Sequence, residues 1–129
     1  MGRRAQTAFL PMVLLLALGC GSGTCEVTGT VTFDGQPVPH GDILLNDVEG
    51  RLGPDYGKIE DGKFALQAKP GRKRVEIRAS REVPERKTEM GVYFEDYIPR
   101  RYNAETILTA DVTLGGKNHW DYNLERGKK

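Results

Sequence analysis

Apolar and polar residues alternate with a period of two through most of the chain after residue 25. The first alternating stretch has apolar residues or glycine on one side and threonine on the other: Val27, Gly29, Val31 and Phe33 against Thr28, Thr30 and Thr32. Further stretches that alternate or form short apolar runs lie at residues 43–45, 56–60, 64–66, 75–79, 108–114 and 120–124. This pattern predicts seven strands, and no stretch after residue 25 has a sustained helical period.

Turn-forming residues separate these stretches. Asp34-Gly35 follows the first strand, Asp61-Gly62 separates the third strand from the fourth, and Lys69-Pro70-Gly71 precedes the fifth. Because glycine tolerates the positive φ that tight turns require, we interpret Gly35, Gly62 and Gly71 as structural turn residues. Seven short strands with regular turns predict an all-β fold, an antiparallel β-sandwich over residues 26–124, followed by a charged tail at 125–129.

The amino terminus has the layout of an export signal. Two arginines, Arg3 and Arg4, precede twelve mostly apolar residues at 8–19, and the run stops at Cys20. A bilayer span takes about 20 apolar residues, whereas the core of a signal peptide takes about 7–15. We therefore predict that residues 1–19 are a signal peptide and that the protein is exported.

The signal ends in a sequence that resembles the lipobox of bacterial lipoproteins, Ala17-Leu18-Gly19-Cys20. This resemblance implies cleavage before Cys20 and attachment of lipid to its thiol, so that the protein is anchored to a membrane. Residues 20–25 then form the lipidated cysteine and a flexible tether. The alternative is ordinary cleavage nearby, with Cys20 either released with the signal or left as a plain thiol. Cys25 is either a disulfide partner of Cys20 or, as we prefer, a small residue at the start of the first strand.

Charge and spacing exclude several functions. The signal contains two of the 19 basic residues and none of the 18 acidic ones, so the rest of the chain is almost neutral. It lacks the basic footprint of a nucleic-acid-binding protein. The two histidines, His40 and His119, have no metal-ligand spacing with the cysteines. Four oxygen-bearing residues could be imagined as calcium ligands, but their spacing matches no EF-hand loop; they are Asp42, Asn46, Asp47 and Glu49. We predict no metal, no cofactor and no catalytic residue.

Several motifs resemble those of carboxypeptidase-regulatory-like domains in small bacterial lipoproteins. The first strand and its turn are similar to the G-x-V and D-G-x-P-V motifs, and Asp61-Gly62-Lys63-Phe64 is similar to the D-G-x-F/Y hairpin. Pro70-Gly71 begins a segment like the P-G-x-Y-x-V step, and residues 98–103 resemble I-P-x-x-Y-N. The resemblance covers residues 27 to about 124. It implies a transthyretin-like (prealbumin-like) seven-stranded sandwich of Greek-key type, in an accessory or surface module without catalysis.

The segment at residues 80–106 shows no clear strand alternation, and we interpret it as a long loop. Loops beyond about 12–15 residues are uncommon in compact domains and are often functional. The candidate ligand-binding residues lie in its aromatic-rich part, 81–103, and are Tyr93, Phe94, Tyr97, Arg100, Arg101 and Tyr102. Aromatic faces flanked by charges bind sugars, peptides or protein surfaces. The alternative is that these rings fold back and cover an edge of the sheet.

Together these features predict a non-catalytic, lipid-anchored module of the bacterial cell envelope, periplasmic or on the outer surface, for surface interaction or structural support. The alternative function is a carbohydrate- or peptide-binding domain that uses the loop at residues 81–103. The expected partners are the membrane, through Cys20, and envelope proteins or glycans, but not nucleic acid. The sequence leaves the oligomeric state open.

Overall fold

The computed structural model describes residues 23–127, which form an all-β fold. The predicted signal peptide, Cys20 and the last two residues of the charged tail lie outside this range. Within it, no helix has the length and apolar character needed to cross a membrane. The strands are β1 (Cys25–Phe33), β2 (Gln36–Pro37), β3 (His40–Asp47), β4 (Asp55–Glu60), β5 (Lys63–Ala68), β6 (Gly71–Arg78), β7 (Ser80–Thr88), β8 (Gly91–Asp96), β9 (Thr109–Val112) and β10 (His119–Leu124).

Seven of these strands form one strongly curled sheet in the shape of a half-barrel. Their order is β10–β1–β5–β4–β3–β6–β9, and the short strand β2 pairs with β1. Neighbouring strands run antiparallel except for the first and last strands of the chain, β1 and β10, which are parallel. β7 and β8 form a separate antiparallel pair. The prediction of an all-β fold with an antiparallel sheet is confirmed.

The main sheet is weakly joined between β4 and β5. Two residue pairs connect these strands, Ile59↔Phe64 and Glu60↔Lys63, whereas β3 and β4 share six. Past this junction Leu66 packs over Gly57, where an added Cβ would approach the Leu66 side chain to 2.9 Å. The inward side chains of strands on both sides of the junction belong to one hydrophobic core. The sequence predicts a β-sandwich, in which two layers of strands enclose a core. The strands do enclose a shared core, but they are connected as a single curled sheet.

Burial within the strands follows the alternation read from the sequence. In β1 every second residue from Cys25 to Phe33 is buried, while the three threonines face outward. Cys25 is thus a buried residue at the first position of β1. The turns Asp34-Gly35 and Asp61-Gly62 each have positive φ at both residues, which is the backbone of a type I′ turn, and Gly71 begins β6 with φ 131°.

The prediction of a long loop is wrong for residues 80–96, which form the β7–β8 hairpin. Nearly every residue of both strands is exposed. The hairpin therefore has no buried face that would impose a period of two on its apolar residues. A bulge of three residues in β7, at 84–86, shifts the register against β8 and disrupts any remaining pattern.

The two ends of the half-barrel carry different parts of the chain. At one end, here called the β1 end, β1 begins and three connections meet: the β3–β4 loop at 48–54, the β5–β6 turn at 69–70 and the β9–β10 loop at 113–118. The opposite end, here called the hairpin end, carries the β4–β5 turn and the β7–β8 hairpin, which continues from β6 through Ala79.

A buried ion pair lies inside the sheet near the β1 end. Lys73 faces the core like Val75 and Ile77, is 0% exposed, and its Nζ has no hydrogen-bond partner. That Nζ lies 3.8 Å from Oδ2 of Asp55, which is 8% exposed. Asp55 also accepts hydrogen bonds from the backbone N–H of Lys69 at 3.0 Å and from Lys69 Nζ at 2.7 Å. Since a buried charge needs compensation, the carboxylate of Asp55 is the group that makes the burial of Lys73 in the core possible.

Candidate interaction site

The β7–β8 hairpin carries apolar side chains on an exposed sheet. Met90 at its tip is 98% exposed, and Val92 and Phe94 are exposed as well. A two-stranded hairpin is marginally stable in water unless something packs against it. Contiguous exposed apolar surface is typical of sites that bind another molecule. These two facts make the hairpin the candidate interaction site.

The register of the hairpin places Val92 and Phe94 on one face, opposite Lys87 and Glu82. We call this the apolar face. Its two apolar side chains lie side by side because they are two residues apart on one strand. The flanking lysine and glutamate carry opposite charges, so this face has no strong net charge that would select a partner of one sign.

The other face of the hairpin is aromatic and charged. Tyr93 lies opposite the half-buried Val83, and the guanidinium of Arg86 lies 5.4 Å from the centre of the Tyr93 ring. Arg81 and Glu95 pair across the strands at 3.8 Å. The cation–π contact and the exposed ion pair hold the side chains of this face together, although each contributes little to stability.

Tyr97 anchors the base of the hairpin to the core. Its ring meets that of Phe33 edge-on at 5.5 Å, and the guanidinium of Arg81 lies 5.7 Å from the Tyr97 ring. Partial burial raises the pKa of Tyr97, and the nearby charge of Arg81 opposes this shift. The backbone N–H of Tyr97 donates to the carbonyl of Ala79 at 3.1 Å, which closes the hairpin at its base. Tyr97 therefore positions the hairpin and is not part of its exposed surface.

Arg101 and Tyr102 hold the carboxy-terminal segment in place. They lie in a 3-10 turn, Arg100–Tyr102, in which the Arg101 guanidinium stacks 4.6 Å from the Tyr102 ring. Arg101 donates to the carbonyls of Glu125 and Arg126, and the Glu125 N–H donates to the Tyr102 hydroxyl at 3.1 Å. Exposed Arg100 makes a long ion pair, at 3.7 Å, with Glu105, which follows this turn.

The six candidate residues therefore do not form one site. Tyr93 and Phe94 are exposed on opposite faces of the hairpin, while Tyr97 and Tyr102 pack partly against the core. These last two rings therefore fold back onto the core and are not part of an exposed binding surface.

Asn103 organises this region, although the sequence analysis did not single it out. It is buried, and its Nδ2 donates to the carbonyls of Ile77 and Pro99, both at 3.2 Å. Its Oδ1 accepts from the N–H of Ala104 at 2.8 Å. In the sequence, the signal for this role was the position of Asn103 at the end of the Ile98–Asn103 motif. An asparagine whose side chain bonds several backbone groups suits a tight connection.

A polar groove of about 370 Å³ lies at the base of the hairpin. Its ionisable side chains include acidic and basic groups and are His40, Asp42, Lys58, Glu60, Arg78 and Asp96. The Tyr56 hydroxyl donates to Asp42, and this hydrogen bond raises the pKa of Tyr56. The groove is lined by side chains of both charge signs, so it does not define one class of ligand.

A polar ladder covers the outer face of β1 and β10. The hydroxyl of Thr28 lies 2.9 Å from His119 Nδ1, and Thr30 and Thr32 donate to Asp121 and Asn123 at 2.7 and 2.8 Å. The Thr30 hydrogen bond, followed by the charge of His119, lowers the pKa of Asp121.

This ladder connects a hydroxyl, an imidazole and a carboxylate, because His119 Nε2 lies 3.1 Å from Asp121. The same three groups activate a nucleophile in hydrolases. Here they belong to a row of cross-strand pairs on an exposed surface, and the pair Thr32–Asn123 repeats the arrangement without an imidazole. The ladder is therefore explained as cross-strand stabilisation of the sheet. The residue pattern did not predict this ladder, since a period of two does not reveal that β1 and β10 are neighbours.

Residues 23–127 contain no group of three or more His, Cys, Asp or Glu side chains that could hold a metal ion. The oxygen-bearing residues of β3 and its loop have other partners. Asn46 donates to Glu76 at 2.9 Å, and Asp47 accepts from the backbone N–H groups of Arg51 and Leu52. These hydrogen bonds lower the pKa of Asp47, with that of Arg51 contributing most.

Comparison with known proteins identifies no family for this chain. No protein-family model matches the chain, and no curated protein matches it. Among solved structures the chain is similar to part of a 9R-lipoxygenase from Cyanothece PCC8801, with a TM-score of 0.38 and 15% sequence identity. The match covers 80% of this chain and 16% of the lipoxygenase, so the chain corresponds to about a sixth of that protein's length.

Proposed function

We propose that this chain is a lipid-anchored, non-catalytic module of the bacterial cell envelope that contacts another envelope component through the β7–β8 hairpin. The observation that carries the proposal is the exposed apolar face of Val92 and Phe94, at the end of the domain opposite the start of β1. Cys20 precedes β1 by five residues. A lipid on Cys20 keeps the β1 end near the membrane and leaves the hairpin end available to a partner.

We propose further that the domain is of the transthyretin-like, carboxypeptidase-regulatory-like kind, with the Greek-key sandwich of that family. Two observations support this assignment. The motif residues Asp34-Gly35 and Asp61-Gly62 form tight turns with positive φ. In addition, the two parts of the main sheet share one core and are joined by a short ladder between β4 and β5. Domains of this family serve as accessory modules, in agreement with a non-catalytic role.

The hairpin contact is tested by capture of partners from the native envelope. The intact lipoprotein is used as bait, and captured proteins are identified by mass spectrometry for the unaltered chain, Phe94→Asp and Ile107→Asp. Ile107 is a matched control because it is an exposed apolar residue outside the hairpin. We expect Phe94→Asp to lose the partners and Ile107→Asp to keep them. Equal capture by all three chains would contradict the role of the hairpin.

The anchor is tested separately with Cys20→Ser, which cannot be acylated. We expect the unaltered protein to fractionate with membranes and the variant to be soluble after export. Mass spectrometry of the mature amino terminus reports whether Cys20 carries lipid. Unchanged membrane fractionation of Cys20→Ser would refute the anchor and leave the hairpin question open.

A carbohydrate- or peptide-binding role is the second candidate. It is favoured by the exposed ring of Tyr93 with Arg86 beside it, since stacked aromatic and cationic groups bind sugars and peptides. Calorimetric titration with oligosaccharides and with peptides tests it, using Tyr93→Ala as the binding-deficient variant. If no ligand binds the unaltered chain, or if Tyr93→Ala binds equally well, this candidate is rejected.

A further inference from the structure

We propose that the β1 end of the domain rests on the bilayer, with the side chains of Val48, Leu52 and Leu114 in contact with the lipid headgroup region. The proposal rests on the lipid anchor at Cys20 proposed above and goes beyond it, because it assigns a second membrane-contacting element within the folded domain. The ligand is a phospholipid surface.

The three apolar residues lie in connections that meet at one end of the fold. Val48 and Leu52 belong to the β3–β4 loop, and Leu114 belongs to the β9–β10 loop. The two loops flank the start of β6. The N–H of Val48 donates to the carbonyl of Arg72 at 3.1 Å, and the neighbouring residue Gly71 pairs with Val112 at the end of β9. The side chains thus belong to one end surface and are not scattered over the domain.

Exposure of these side chains is high for apolar residues in loops. Val48 is 55% exposed, Leu52 43% and Leu114 61%. Single exposed apolar residues are common, but several of them at one end of a small domain are typical of a contact surface. The groove between the first two residues and Pro70 measures about 520 Å³.

Basic side chains surround this apolar group. Arg51 and Arg72 line the same groove, and Lys117 lies exposed in the β9–β10 loop. Arginine and lysine can place their aliphatic stems along an apolar surface and their charges among phosphate groups. Acidic residues offset this charge, since Glu49 pairs with Arg51 at 3.3 Å, Asp111 pairs with Arg72 at 3.8 Å, and Asp47 also lines the groove. The surface is therefore amphipathic and close to neutral in net charge, which suits insertion of apolar tips more than purely electrostatic attraction.

The length of the tether favours a membrane over other occupants. Five residue steps from Cys20 to Cys25 span at most about 18 Å when fully extended. Cys25, at the β1 end, is held within that distance of the lipid-bearing Cys20 in every orientation of the domain. The hairpin end is separated from it by strands of eight or nine residues, about 30 Å long. A surface kept this close to lipid headgroups encounters them at high effective concentration, so modest apolar contact is sufficient to orient the domain.

The test uses the full lipidated chain in vesicles of phosphatidylcholine and phosphatidylglycerol. In a Trp120→Phe background, a single tryptophan is introduced by Leu52→Trp or Leu114→Trp, with Val92→Trp and Ile107→Trp as controls that are also exposed but lie elsewhere. Quenching by lipids that carry a nitroxide near the headgroup is then measured. We expect loss of most of the fluorescence and a blue-shifted emission for the first two chains, and little change for the two controls.

A second measurement avoids any substitution. Hydrogen exchange of the unaltered lipidated chain, with and without vesicles, should show protection of residues 48–54 and 113–118 but not of the β7–β8 hairpin. If the chain partitions into vesicles through Cys20 but neither measurement distinguishes these loops from the controls, the proposed contact is wrong and the anchor stands. If the chain does not partition at all, the anchor itself fails. Protection of the same loops in detergent that rises with protein concentration would overturn the proposal in favour of a second copy of this chain.

Discussion

Replacing Asp55 by asparagine should be among the most damaging conservative substitutions in this domain. The change keeps the size of the side chain and an acceptor for the Lys69 N–H, but removes the charge that compensates Lys73. Lys73 Nζ is fully buried, has no hydrogen-bond partner, and has Asp55 at 3.8 Å. Breaking a buried pair by removal of one partner costs about 3–5 kcal/mol. Loss of the half-exposed Lys69 contact adds little, because solvent screens it.

The reciprocal substitution should behave differently. Lys73→Met places an apolar side chain of similar shape in the core and leaves Asp55 with Lys69, so we expect a change below about 1 kcal/mol. In the double variant, Lys73→Met removes the uncompensated charge and should recover most of the stability lost in Asp55→Asn. The free energy of unfolding of all four chains is measured by urea denaturation followed by Trp120 fluorescence. A cost below about 1 kcal/mol for Asp55→Asn, or a double variant no more stable than the single one, would refute the reasoning.

Three further predictions concern the core and its connections. Burial raises the pKa of Tyr122 to about 12. The folded protein therefore favours the neutral phenol. Its contribution to the free energy of unfolding is complete below pH 10, the ordinary pKa of tyrosine, and is lost as the pH rises toward 12. The loss is about 3 kcal/mol in urea denaturation, and it should be absent in Tyr122→Phe. Gly29→Ala should prevent stable folding, because the added Cβ overlaps the carbonyl oxygen of Trp120, whereas Gly53→Ala, with open space around it, should leave the melting temperature unchanged. Equal melting temperatures would count against this packing. Asn103→Ala should cost about 2–3 kcal/mol, since buried carbonyls lose their donor. A change below about 0.5 kcal/mol would show that water replaces the side chain.

The sequence was informative wherever one face of a strand is buried. Alternation in β1 and the Asp-Gly turns predicted local structure that the fold contains. Alternation also predicts the inward position of Lys73, because this residue lies two and four positions before the buried residues Val75 and Ile77 on the same strand. Alternation predicts which face is buried, but only the tertiary structure shows that Asp55 lies across from it.

Other features depend on which strands are neighbours in the sheet, and the period of apolar residues does not predict this. The β7–β8 hairpin has no buried face, so its strands lack the signal by which the others were found. The contact of β1 with β10 joins residues 91 positions apart in the chain. For the same reason, the candidate aromatic residues could be named from the sequence, but their separation into exposed hairpin residues and core-packed residues could not.

The parallel pairing of β1 and β10 has a mechanical consequence. Because the strands run in the same direction, the start of β1 and the end of β10 lie at opposite ends of the pair. A force pulling Cys25 and Leu124 apart acts along the strands and stretches the hydrogen bonds in shear. The six registered pairs from Thr28↔His119 to Phe33↔Leu124 then resist together, whereas a hairpin pulled open at its ends breaks one pair at a time. Resistance to such a force is governed by the unfolding rate and not by equilibrium stability. The fold is therefore arranged to bear tension applied between the start of β1 and the end of β10 without losing these pairs one at a time.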